Sequence, residues 1–107
     1  MTMAWIYLIF AGLFEIGWPV GLKVAQQSDT RLLGILIALV FIFTSGLFLW
    51  LAQRDIPMGT SYAVWTGIGT VGTFLVGIIF YGDLANLGRY LGVLLILSGV
   101  VMLKVNN

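Results

Sequence analysis

Four apolar runs of membrane-spanning length divide the chain at three short polar breaks. They cover residues 3–22, 32–52, 58–81 and 86–103. The breaks are Lys23 with Gln26-Gln27-Ser28-Asp29, then Gln53-Arg54-Asp55-Ile56-Pro57, then Gly82-Asp83 through Arg89. A bilayer core of about 30 Å is crossed by about 20 helical residues. The pattern therefore predicts an all-α integral membrane protein: one domain, 1–107, of four transmembrane helices. Breaks this short force successive helices to run antiparallel. Pro57 is well placed to start the third helix. Only 14 residues separate Arg89 from Lys104, so the fourth helix is predicted to begin near Leu84 to Leu87, with Arg89 snorkelling to the interface.

Composition narrows the function. Of 107 residues, 61% are hydrophobic and 8% are charged, against about 25% charged in a soluble domain. Four spans leave no room for a soluble domain, so the function is expected to reside within the bilayer. The net charge of +1 provides no electrostatic footprint for nucleic acid. Cys and His are both absent, which removes thiol chemistry, disulfides and the common zinc ligands. It also removes the usual general base, so neither an enzyme nor a cofactor or metal is expected. The first residues, Met-Thr-Met-Ala-Trp, lack the basic stretch of a signal peptide, so the first apolar run is expected to remain in the mature protein.

Charge also bears on orientation. With four spans, Lys23, Arg31 and Arg89 fall on one side of the membrane, and Arg54 and Lys104 on the other. Orientation follows the Lys/Arg excess of short loops, and three against two barely sets it. Either one orientation prevails or the chain inserts both ways. The second is favoured, because so small a chain encloses no polar path alone. Two oppositely oriented copies make the inverted pair that many alternating-access transporters build by internal duplication.

Glu15 is the acid inside an apolar run; Asp29, Asp55 and Asp83 all lie in breaks. An ionisable group at mid-membrane costs about 2.5–3.5 kcal/mol on insertion scales, and such residues face the protein interior or a watery cavity, where they carry function. The bland alternative is a neutral carboxyl hydrogen-bonded between helices, but the chain has no second acid or base at membrane depth to pair with it. On a helix of 3.6 residues per turn Gly12, Glu15, Trp18, Pro19 and Leu22 share one face. Trp18 lies too deep for an interfacial belt, and its indole N–H is placed to reach the same site. Pro19 lacks the N–H that bonds the carbonyl of Glu15, so that oxygen is freed and the helix can kink there. Gly17 and Gly21 form a small-residue packing pair.

The third run holds Gly59-Thr60-Ser61-Tyr62-Ala63-Val64-Trp65-Thr66-Gly67-Ile68-Gly69. Tyr62 and Trp65 share a face, need partners for O–H and N–H, and find a natural one in a carboxylate on a facing helix. With Trp18 they are also placed to wall a cation through their ring faces; the plain reading is core volume. Ser45, at mid-depth in the second run, either orients Glu15 or bonds its own helix. Gly67-Ile68-Gly69-Thr70-Val71-Gly72 matches a dinucleotide fingerprint letter for letter, but a continuous apolar run lacks the strand and helix start that the fingerprint needs. Gly67, Gly69 and Gly72 read instead as packing or hinge positions. In the fourth run Gly92, Leu95 and Gly99 share one face, and the helix reads as the contact between two copies.

Together, Ala11-Gly12-Leu13-Phe14-Glu15 with Trp18 and Leu22-Lys23, the stretch from Gly59 to Gly69, and Gly92 through Val100 resemble the small multidrug resistance family of proton-coupled exporters. The resemblance spans nearly the whole chain. Trp18 and the Leu22-Lys23 ending resemble its guanidinium-exporter branch; multidrug relatives tend to carry a small residue at Trp18. The resemblance implies an antiparallel, dual-topology homodimer in the bacterial inner membrane, with Glu15 of both subunits in one central site. It implies that Ser45, Trp18, Tyr62 and Trp65 bond to or line that site, and that the fourth helix mediates dimerisation. Pro19 departs from relatives with Ala there. The expected function is exchange of protons for guanidinium or small guanidinyl cations on Glu15. The rivals are a broad exporter of quaternary ammonium cations, against which bulky Trp18 argues, and a non-transporting small subunit.

Overall fold

A computed structural model describes residues 2–106. Four helices run through them: α1 Thr2–Val24, α2 Arg31–Ala52, α3 Met58–Tyr81 and α4 Leu87–Val105, with one 3-10 turn at Ser28–Thr30 before α2. All four are long and apolar enough to cross a membrane. At 1.5 Å per residue, α3 with its 24 residues reaches about 36 Å, enough to span the ~30 Å core with some tilt.

Several helix ends are closed by local chemistry. The last carbonyls of α1 lack partners within the helix; Val24 O accepts from the Thr30 hydroxyl at 2.8 Å, and Ala25 O from Arg31 Nε at 3.3 Å. The turn between α2 and α3 hangs on Ala52 O, which accepts from the N–H groups of Asp55 and Ile56 at 3.2 and 3.1 Å. Pro57 stands just before α3, at its N-cap. α3 stops at Gly82, whose φ of +67° is left-handed, a conformation glycine adopts without a Cβ penalty. α4 starts under the side chain of Asn86, which accepts from the Arg89 N–H at 2.9 Å.

α1 lies between α2 and α3, and α4 rests mainly against α3. The helices thus form a slab, with extents of 45 × 34 × 17 Å. A helix with its side chains is about 10–12 Å across, so 17 Å leaves little depth for an enclosed interior. Its core clusters toward one end: Ala4, Trp5 and Leu8 of α1, Ala52 at the end of α2, Ile56 after it, and Val64 of α3.

The α1–α2 interface changes character along its length. Near the N-terminal half of α1, Tyr7, Phe10 and Phe14 meet Phe48, with Phe14 stacked on it at 5.6 Å and 8°. Farther along, Gly17 accepts the ring of Phe41 against its backbone, and Gly21 approaches Gly34 and Ala38 main chain to main chain. A Cβ at Gly34 would lie 2.5 Å from the Gly21 carbonyl oxygen. Backbone cannot yield as a side chain tip does. Gly34→Ala is therefore expected to destabilise by about 1–3 kcal/mol, offset in part by the ~1 kcal/mol by which Ala favours helix over Gly. Thermal unfolding in detergent measures the net loss.

Candidate functional site

Glu15 sits on the face of α1 turned to α3. Its stem fills the space left by Gly69: a Cβ there would lie 2.6 Å from Glu15 Cγ and 3.3 Å from Glu15 Cβ. Above it Gly12 takes Ile68 in the same way, at 2.6 Å, and below it Gly72 takes Ile16. Gly67 is covered from the other side by Val100 of α4. Gly67, Gly69 and Gly72 are thus close-approach positions in an unbroken helix, and the fingerprint they spell has no strand before it.

Beside Gly69 lies a cleft of about 400 Å³ lined by Glu15, Pro19, Thr66, Gly69, Thr70, Thr73, Phe74 and Asp83. Glu15 Oε1 and Trp18 Nε1 are buried with no hydrogen-bond partner. Buried polar atoms are nearly always paired, and an unpaired one costs about 1–3 kcal/mol. The unpaired acceptor and the unpaired donor lie three residues apart on α1.

The remaining predicted residues are organised around Ser45. Its hydroxyl, fully buried, donates to the carbonyl of Ala11 at 2.7 Å and accepts from Trp65 Nε1 at 2.8 Å. Ser45 thus bonds neither Glu15 nor its own helix, the two options read from sequence. It ties α2 and α3 to α1 one turn before Glu15. The partner of the Trp65 N–H is this hydroxyl, where a carboxylate was the natural expectation. Tyr62 packs its ring 5.3 Å from Trp65, tilted by 58°, and is exposed on the single chain. Gly12, Trp18, Ser45, Tyr62 and Trp65 do not line the cleft of one chain; Glu15 and Gly69 do. α1 stays helical through Pro19, which lines the same cleft. On α4, Leu95 is 75% exposed and a Cβ at Gly92 or Gly99 would meet nothing within 4 Å.

The sequence reading overlooked Thr66, Thr70, Thr73, Phe74 and Asp83. A signal existed: Thr66, Thr70 and Thr73 recur at four and three residues, the spacing of one helix face. Ser45→Ala is expected to remove an interhelical link and cost about 0.6–1.7 kcal/mol, the range of such bonds inside membranes. The loss is read from thermal unfolding, and Trp65 fluorescence shifts as its N–H loses its partner.

The family model of the Small Multidrug Resistance protein matches residues 3–96. A guanidinium exporter of Yersinia pseudotuberculosis is 47% identical over 102 residues, 95% of this chain and 97% of the relative. One of Proteus vulgaris is 45% identical over the same shares. One of Citrobacter freundii is 42% identical over 105 residues, 98% of this chain and 99% of its own. With four helices long and apolar enough to cross a membrane and a family match from the first helix into the last, the chain belongs to the small multidrug resistance family of multi-pass inner-membrane proteins.

Proposed function

We propose that this protein is a transporter, not an enzyme, and that it exports guanidinium and small guanidinyl cations in exchange for protons. The observation that carries the reading is Glu15, which lines a 400 Å³ cleft at membrane depth and has one carboxyl oxygen buried without a partner. The names of the relatives supply the substrate class. Guanidinium is planar and presents paired N–H groups that match a carboxylate in two parallel hydrogen bonds. A proton on the same oxygens removes that match. Proton and cation therefore exclude one another, and exchange follows when the empty and doubly loaded states seldom cross the membrane.

The acting unit in this reading is an antiparallel homodimer with Glu15 of both chains at one centre. Three features support it. A slab 17 Å thick cannot surround a cation by itself. α4 buries none of its residues within the chain. Lys and Arg are shared almost evenly between the two membrane faces. If both glutamates give up a proton per guanidinium, two protons enter for each cation that leaves, and the cycle moves net charge. Guanidinium flux into proteoliposomes, measured across imposed pH and voltage gradients, gives the ratio from the null point. Two protons per cation is the expected value; one overturns the two-glutamate cycle. Transport of tetraalkylammonium ions without guanidinium transport overturns the substrate.

A further inference from the structure

The cleft does not end at Glu15. On α3 Thr66, Gly69, Thr70, Thr73 and Gly77 fall on one face. From Gly69, against Glu15, to Gly77 the helix rises about 12 Å. At the Gly77 end stands Asp83, which lines the same cleft as Glu15. It also lines an adjoining cavity of about 130 Å³ with Pro19, Lys23, Thr73 and Tyr81. The two spaces share Pro19, Thr73 and Asp83, so they adjoin along α3 between the depth of Glu15 and the loop side.

Asp83 is held there by the stop of α3. After the left-handed Gly82, the N–H of Asp83 donates to Gly77 O at 3.0 Å. Its carboxylate lies over Gly77, where any Cβ would collide with Oδ2. The backbone cap fixes the residue, and the missing Cβ lets the charge lean over the groove. Two cations stand near this end, each turned onto an aromatic face. Lys23 Nζ is 5.7 Å from the Tyr81 ring centroid, and the Arg89 guanidinium is 5.2 Å from that of Phe74. Thr73 and Thr70 line the space between Asp83 and Glu15.

We infer that Asp83 is an outer docking carboxylate for the transported cation, joined to Glu15 by the hydroxyl track of Thr73 and Thr70. This rests on the reading of Glu15 as the cation site. A small cation with several N–H donors gives up water in stages along such a groove: first to Asp83, then to the two hydroxyls, last to Glu15. With Lys23 and Arg89 turned onto aromatic rings, the Asp83 carboxylate is left to accept hydrogen bonds from an arriving cation. It acts on capture and leaves the exchange at Glu15 unchanged.

The test is guanidinium transport by the full chain in proteoliposomes, with native protein, Glu15→Gln, Asp83→Asn and Asp83→Glu side by side. Asp83→Asn keeps the backbone cap and removes only the charge. It is expected to raise KM about threefold or more with the maximal rate within about twofold, and Asp83→Glu to restore the native KM. An unchanged KM, or a fallen maximal rate at native KM, overturns the docking role and leaves Asp83 as a helix stop. If Asp83→Asn fails to reach the membrane, Thr70→Val with Thr73→Val carries the same test: a raised KM supports the track and a native one overturns it. Native activity with a silent Glu15→Gln and a native-like Asp83→Asn removes the outer site alone. Silence of the native protein toward guanidinium removes the Glu15 reading and the outer site together.

Discussion

Glu15→Gln is expected to abolish guanidinium-coupled proton movement while leaving the fold intact. The amide keeps the size and loses both the charge and the exchangeable proton. Each hydrogen bond to a charged group contributes about 1.5–3 kcal/mol, so losing a paired set costs about 3–6 kcal/mol. That corresponds to about 10²- to 10⁴-fold weaker binding. Thermal stability should hold or rise, because a neutral amide is less costly than a carboxylate at membrane depth. Isothermal titration with guanidinium and uptake under a pH gradient check both halves. Residual pH-driven uptake by this variant at native rate means that another group couples the two fluxes.

Gly69→Ala is expected to have the second largest effect, and it strikes from the opposite helix. The new Cβ would lie 2.6 Å from Glu15 Cγ, about 1 Å inside an ordinary carbon contact. The atom it meets is the stem of Glu15, anchored to α1, so it cannot recoil as a flexible tip does. Either the carboxyl swings out of the cleft or α1 and α3 part. A displacement of about 1 Å in a reacting group commonly costs about a hundredfold in rate, whereas overpacking costs about 1–3 kcal/mol of stability. Transport is therefore expected to fall far more than the melting temperature. Gly46→Ala, whose Cβ meets nothing within 4 Å, is the matched control and should change neither. Equal losses in the two variants mean that helix flexibility, not the position of Glu15, is what Gly69 provides.

The helices and Glu15 were legible in the sequence because each follows from one large energetic effect. An apolar run near 20 residues has few fates other than a membrane span, and an acid within one is too costly to be incidental. The helix ends were less legible. α1 continues to Val24, beyond Leu22, because the long Lys23 side chain can carry its charge outward from a helix still within the apolar layer. Interhelical partners were the least legible. Lipid and protein are equally apolar, so hydropathy does not mark which face of α2 packs. That is why the sequence leaves Ser45 between Glu15 and its own helix, whereas its partners are Ala11 and Trp65. The threonines of α3 are hard to read for a related reason. A membrane threonine commonly bonds its own helix, as Thr66 does to Tyr62 O at 2.8 Å, so its hydroxyl reads as already satisfied. Asp83 read as a loop charge, because only the fold turns it back over Gly77.

The two turns that flank Glu15 on α1 are mechanically unequal. Toward the N-terminus, the Ala11 carbonyl is clamped by Ser45, which Trp65 clamps in turn. Toward the C-terminus, Pro19 withholds the N–H that the Glu15 carbonyl would otherwise receive. A rod fastened on one side of a point and weakened on the other bends about that point. Glu15 thus stands at the join between a stretch of α1 tied to two other helices and a stretch with one backbone hydrogen bond fewer.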